Sequence, residues 1–261
     1  MPGPMEQFTV KPIYPIEVAG YDLSFTNSSF WMLIALAAIT VFLFIGTARP
    51  QLVPTRAQAA VEYLYDFVRK MLDENVGPEG RRYAPLIFSI FIFVLACNLL
   101  GLIPWVGAFT PTSHISVTLG LALIVFVTVC VVGFARHGLH FFSLFWPKGD
   151  PVFQGSILAI IAKLLLGIFV FAIEFLSFLS RPFTLAIRLF ANMTAGHVLL
   201  KVFGTFVVSL GSFGALPYVF GILPLGVNVA LSALEVLIAV VQAYVFALLA
   251  SLYLNDAVNL H

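Results

Sequence analysis

The sequence predicts an all-α integral membrane protein with about five membrane-crossing helices and one amphipathic surface helix. Three observations carry this. Only 10% of the 261 residues are charged and 61% are hydrophobic, where a soluble domain holds about a quarter charged residues. The apolar residues come in long runs, and mean hydropathy is +1.05. Within the last hundred residues the run is almost continuous, with polar residues placed singly. In hydrocarbon the backbone must satisfy its own hydrogen bonds, so runs of this length read as helices. Net charge is +1 and no basic run is present, so nothing points to nucleic acid.

Residues 1–29 form an N-terminal segment whose opening, MPGPMEQFTV, has neither a secretory-signal nor a transit pattern. The first apolar run, 30–47, is expected to serve as its own insertion signal and approaches the ~20 residues a span needs. Residues 55–76 differ in kind. Thr55 and Gln58 have capping-box spacing. Val61, Leu64, Val68, Met71 and Leu72 then recur at helical intervals, with Glu62, Asp66, Arg69 and Asp73 opposite. This predicts an amphipathic helix on the inner membrane surface, or one packed against a neighbouring subunit. Gly77, Pro78 and Gly80 end it.

Residues 84–109 and 115–135 predict a spanning hairpin whose outer turn is bracketed by Pro104 and Pro111. The segment HGLHFFSLFWPKGDP is an inner loop, and its His137 and His140 are read as interfacial rather than as ligands. Residues 154–202 and 225–254 predict a terminal hairpin, joined through the Gly- and Pro-rich GSFGALPYVFGILPLG. At about 1.5 Å per residue the first arm far exceeds a ~30 Å hydrocarbon core, so it must tilt strongly or bend near Pro182. Cys97 and Cys130 fall within apolar runs and read as packing residues, not as a disulfide or metal pair.

Lysine and arginine are distributed one, six, none, two, none over successive connections: Lys11; then Arg49, Arg56, Arg69, Lys70, Arg81 and Arg82; then Arg136 and Lys148. The positive-inside rule then places the N-terminus outside and the C-terminus inside, after five crossings.

The remaining cations lie inside the terminal hairpin, with Lys163, Glu174, Arg181, Arg188, Asn192, His197, Lys201, Asn228, Glu235 and Gln242 all on predicted membrane helix. A charge at mid-bilayer costs from about 2.5 kcal/mol upward, so ionisable groups there are candidates for an ion pathway. Glu174, Arg181 and Arg188 are seven apart and return to one face within about 20° per step. Ser177 and Thr184 lie beside that stripe, and Asn192 one turn beyond Arg188. Asn228, Glu235 and Gln242 repeat the seven-residue step on the final helix. Two such stripes predict a shared wet or protein-lined seam. His197, nine residues past Arg188, falls on the opposite side of its helix, which suggests two compartments divided by the helix body. Structural readings stay open for several of these. Lys163 and Lys201 can snorkel to the interfaces, Arg181 can pair with Glu174, Ser177 and Thr184 can bond back to their own helix, and Asn228 and Gln242 can be interhelical glue.

The stretch RLFANMTAGHVL, with Glu174 upstream and NVALSALEVLIAVVQAYVFALLASLYL at the end, resembles subunit a of F-type ATP synthase, over essentially the whole chain. The resemblance implies a membrane stator subunit, not itself an enzyme, working against a rotating ring of c subunits. Peripheral-stalk b-type subunits and other Fo subunits would be its further partners. No cofactor is implied, and the transported ion would be the proton. By the same resemblance Arg188 is the essential rotor-facing cation, with Asn192 and Gln242 as polar neighbours. His197 and Glu235 match the imidazole and acid of an outer half-channel, in the order of the mitochondrial branch and its bacterial relatives. Glu174 and Ser177 match an inner half-channel, and Arg181 and Asn228 are secondary candidates. The expected location is a bacterial inner membrane, with an organellar inner membrane as the alternative. A secondary transporter using Arg188 to bind an anion is the competing reading. The sequence shows no internal repeat to favour it. A purely structural anchor leaves the Glu235–Gln242 stripe unexplained.

Overall fold

A computed structural model describes residues 10, 12–15, 17–18, 21–22, 24–103, 109–138, 140–141, 157–211 and 217–259, with 17–18, 21–22, 157–164, 210–211 and 217–223 described as backbone alone. Six α-helices dominate the described residues: α1 (Asn27–Thr47), α2 (Arg56–Asn75), α3 (Ala84–Gly101), α4 (Ile115–His137), α5 (Ile157–Gly211) and α6 (Pro217–Val258). Five helical stretches are long and apolar enough to cross a membrane: Asn27–Thr47, Pro78–Gly101, Ile115–His137, Leu165–Ser209 and Pro224–Val258.

Before α1, short antiparallel pairs form within the N-terminal segment. β1 (Pro12–Tyr14) pairs with β4 (Phe25–Thr26), and β2 (Glu17–Val18) with β3 (Tyr21–Asp22). Thr26 then caps α1, accepting from the Ser29 amide.

Helix α2 is amphipathic as its spacing predicts. Val61, Val68, Met71 and Leu72 are buried, Leu64 only partly. That face packs on α1, α3 and α6, so it is tucked against this chain's own helices. The capping box forms by half. Thr55 Oγ1 accepts from the Gln58 amide, but the Gln58 side chain turns to the backbone of Gln51 (3.1 Å both ways) and to Glu62.

Two predicted boundaries need correction. The third helix ends at Gly101, not at residue 109, because Ile103 precedes Pro104 and the residue before a proline is driven out of the helical region. Residues 104–108 lie outside those described. The inner loop 142–156 does too, whereas His137 is described and shares a 3.3 Å hydrogen bond with the Val258 carbonyl oxygen. The turn predicted across 202–225 is the second correction. Helix α5 continues to Gly211, and α6 begins at Pro217 and carries Pro224 inside it. Only 212–216 separate them, outside the described residues. Proline suits the first helical position, and membrane helices tolerate internal Gly and Pro that would break a soluble one.

With 55 residues, α5 is about 80 Å long at 1.5 Å per residue. No upright helix of that length fits a bilayer. Helix α6 is the hub, touching α2, α3, α4 and α5. Ala239, Ala243, Ala247 and Ala250 are fully buried on it, and such small side chains let backbones approach closely. Cys97 and Cys130 are free thiols.

One end of the bundle is tied by charge and capping. Asp73 accepts from Arg81 in a two-pronged pair (2.8 and 3.1 Å). Arg136 bonds Glu79, and Asn259 Nδ2 donates to the Val76 carbonyl at 3.3 Å. Arg181 donates to Asp256 at 2.6 Å. These contacts gather the ends of α2, α4 and α6 with the early part of α5.

Candidate functional site

Residues of α5 divide cleanly by face. Phe178, Pro182, Leu185, Ala186, Leu189 and Met193 are buried against the rest of the chain. Glu174, Ser177, Thr184, Arg188 and Asn192 are exposed on the other side. Part of the seam expectation is therefore corrected. The α5 stripe does not lie buried against α6 but on the outer face beside it. The α6 stripe does face inward, since Glu235 and Gln242 are 2% and 3% exposed.

Where the two stripes meet, two cross-helix pairs form. Asn192 Nδ2 donates to Gln242 Oε1 at 2.7 Å. Beyond it, His197 Nδ1 lies 3.3 Å from Glu235 Oε1. Both pairs follow from antiparallel helices, in which a step forward on α5 matches a step backward on α6. The Glu235 carboxyl and Gln242 Nε2 have no hydrogen-bond partner among the described residues. A cavity of about 150 Å³ lies beside Glu235, lined by Asn192, Gly196, Leu199, Glu235 and Ile238 among others. One buried water needs about 10–15 Å³ on this measure, so the space suits several. Buried polar atoms are otherwise almost always bonded.

Gly196 explains why Glu235 can sit there. A Cβ at that position would stand 2.7 Å from Glu235 Oε1 and 3.1 Å from its carboxyl carbon. The glycine is legible in the sequence, but its reason is not.

Other residues of this region carry no sequence signal of function. Thr110, 5% exposed, shares a 2.8 Å hydrogen bond with His197 Nε2. Thr112 Oγ1 donates to Asn98 Oδ1 (2.7 Å), and Asn98 Nδ2 donates to the Ala239 carbonyl (3.3 Å). Both Asn98 and Thr112 are fully buried. Asn98 alone was visible, as an interruption in an apolar run.

Arg188 is exposed, and among the described residues no hydrogen bond or ion pair engages it. Along the helix it stands about 13 Å from the level of His197 and about 21 Å from that of Glu174, at 1.5 Å per residue. Glu174 and Ser177 are exposed, and among the described residues no side-chain hydrogen bond or ion pair joins them to one another or to α6. The Glu174–Arg181 pair that the spacing leaves open does not form. Arg181 instead reaches Asp256 and lies over the rings of Phe178 (5.3 Å) and Tyr253 (5.0 Å). The reason is burial: Arg181 sits at the edge of the α5–α6 contact and Glu174 on the open face. Thr184 bonds back to the Arg181 carbonyl at 2.9 Å. Asn228 Oδ1 is buried without a partner among the described residues, so no interhelical bond is seen for it. Lys201 is exposed, and the Lys163 side chain lies outside those described. Among the described residues no cluster of His, Cys, Asp and Glu could hold a metal ion.

A family model described as ATP synthase A chain matches residues 29–255. The chain is 46% identical to the ATP synthase subunit a of Rhodospirillum rubrum over the full length of both. It is 48% identical to that of Paramagnetospirillum magneticum, again over both full lengths. With the subunit of Agrobacterium fabrum it shares 50% identity over 98% of this chain and 97% of the other. The chain therefore belongs to the ATP synthase A chain family, that of F-type ATP synthase subunit a.

Proposed function

We propose that this chain is the proton-conducting stator subunit of a bacterial-type F-type ATP synthase, a non-catalytic part of its membrane sector. Two offset half-channels would deliver protons to, and collect them from, carboxyl groups on a rotating c-subunit ring. The observation that carries the reading is Arg188: an exposed guanidinium on an apolar membrane helix, engaged by none of the described residues and flanked by separate polar groups on either side. A buried neighbour from this chain would neutralise it; instead it is presented outward, to a partner.

Arginine stays protonated in proteins and cannot carry protons. It supplies a fixed charge. A carboxyl must be neutral while it faces lipid, and a cation within about 4–6 Å lowers its pKa by roughly 1–3 units. A ring carboxyl arriving opposite Arg188 would therefore release its proton. On leaving, it would need another before re-entering lipid. During synthesis protons enter through His197 and Glu235, with Asn192 and Gln242 ordering water in the cavity beside them. Histidine suits this because an imidazole can take a proton at one ring nitrogen and give one from the other. After nearly a full turn each proton leaves past Glu174 and Ser177. Arg188 stands between the two routes and blocks a direct leak. One proton crossing 100 mV yields about 2.3 kcal/mol, so several pass per ATP.

The multi-pass chain resides in the inner membrane, with its N-terminus outside and its C-terminus in the cytoplasm. Beside the c ring, b-type peripheral-stalk subunits and other Fo subunits are its expected partners. The test is Arg188→Ala in inverted membrane vesicles. ATP-driven proton pumping should disappear while the complex still assembles; normal coupled pumping overturns the reading.

A further inference from the structure

The turn between α3 and α4 is held more tightly than a connection needs to be. Residues 111–113 form a 3-10 turn, and Pro111, Thr112 and Ser113 are all buried. Three bonds fix it. Ser113 Oγ donates to the Thr110 carbonyl (2.6 Å), Thr112 Oγ1 donates to Asn98 Oδ1, and Asn98 reaches the backbone of α6. Gly101 completes the arrangement, because an ideal Cβ there would lie 2.7 Å from both Thr110 Cβ and Cγ2 and closer still to its Oγ1. The side chain of Thr110 thus rests over the bare end of α3. Its hydroxyl is directed to one acceptor-or-donor atom of another element, His197 Nε2 at 2.8 Å.

We propose that Thr110 is a positioning residue for proton entry: its hydroxyl fixes the ring of His197 so that Nδ1 faces Glu235. A hydroxyl both donates and accepts, so it can stay bonded to Nε2 in either tautomer. When Nε2 carries hydrogen, Thr110 accepts and Nδ1 is a free base toward Glu235. When Nδ1 carries it, Thr110 donates to Nε2. The bond therefore survives the exchange of a proton across the ring, and the ring is not required to turn. A methyl group in place of the hydroxyl would remove this bond from the part-buried ring and with it one of the contacts that fix its orientation. The charged groups that face the imidazole are Glu235 on α6 and Lys201 one turn further along α5.

This inference rests on His197 being part of the entry path, and its test separates the two. Passive proton conduction is measured against pH, per assembled complex, in vesicles carrying the whole synthase. Thr110→Val keeps the shape and removes the hydroxyl. Conduction should fall about five- to tenfold, less than the ~10²-fold that losing an acid–base group outright costs. Its pH profile should move, while Thr110→Ser keeps both rate and profile. Gly101→Ala, which displaces Thr110 and leaves its hydroxyl intact, should reproduce the Val variant. If Thr110→Val does not assemble, Thr110→Ala carries the same comparison. An unchanged rate and profile without the hydroxyl overturns the inference, as does equal impairment of the Ser and Val variants. Normal conduction in His197→Ala would instead overturn the entry path itself.

Discussion

The polar residues on the two sides of Arg188 are built differently. Beyond it, Asn192, His197, Glu235 and Gln242 meet across α5 and α6, with Thr110 closing on them from a third element. Before it, Glu174 and Ser177 stand exposed on α5 and, among the described residues, form no hydrogen bond or ion pair with α6. The first group is finished by this chain alone. The second has one wall and needs another molecule for its second. In the proposed cycle the outer path would be preformed, and the inner path would exist only where the ring lies against α5.

The largest effects should come from the finished side. Gly196→Leu would drive a side chain into the Glu235 carboxyl, and conduction should fall by about 10²-fold, the contribution of one acid–base group. Conduction in vesicles measures it; a variant near the wild-type rate would mean that the carboxyl position is unimportant. His197→Ala and Glu235→Ala should cost similar amounts. Exchanging the two residues together should recover more than either single change, because the pair, not its order, is needed. If the double exchange is no better than the singles, they do not act as a pair.

Next in size is the clamp on the open side. Arg181 and Asp256 are only partly exposed, and Phe178 and Tyr253 sandwich the guanidinium. Asp256→Asn should destabilise the α5–α6 contact by about 1–2 kcal/mol, less than a fully buried pair because solvent screens it. Thermal melting of the purified complex would show the shift, with proton conduction at permissive temperature largely kept. Loss of conduction at unchanged melting temperature would make Arg181 part of the path.

Glu174→Gln should slow synthesis only a few-fold, about 1 kcal/mol of barrier, because water can replace one carboxyl on an open wall. A loss equal to that of His197→Ala would erase the contrast between the two sides. The smallest effect belongs to Asp73, whose carboxyl is held below the usual carboxylate range chiefly by its hydrogen bond from Arg81. A depressed pKa stabilises above the unfolded value and is lost as pH falls through the folded one. Acid melting curves of wild type and Asp73→Asn should therefore converge at low pH and differ slightly at neutral pH.

Much of this was readable beforehand because membrane helices leave strong traces. The five apolar stretches, the amphipathic α2 and the seven-residue steps of Glu235 and Gln242 follow from hydropathy and helical period alone. The break between α5 and α6 is shorter than the predicted turn that contains it, because Gly and Pro mark turns in water, while a bilayer tolerates them inside helices such as that carrying Pro224. The Glu174–Arg181 pairing failed because spacing within one helix cannot weigh a better partner on another. Asp256 lies 75 residues away.

The linear chain determined which residues enter the membrane, and which of them are charged, through the cost of burying polar groups in hydrocarbon. It also determined that Arg188 and His197 lie on opposite sides of one helix, a consequence of 3.6 residues per turn. Folding decided which polar atoms touch. Thr110 meeting His197 and Gly196 yielding to Glu235 depend on how α3, α5 and α6 approach, and close packing between elements leaves no periodic mark in any one of them.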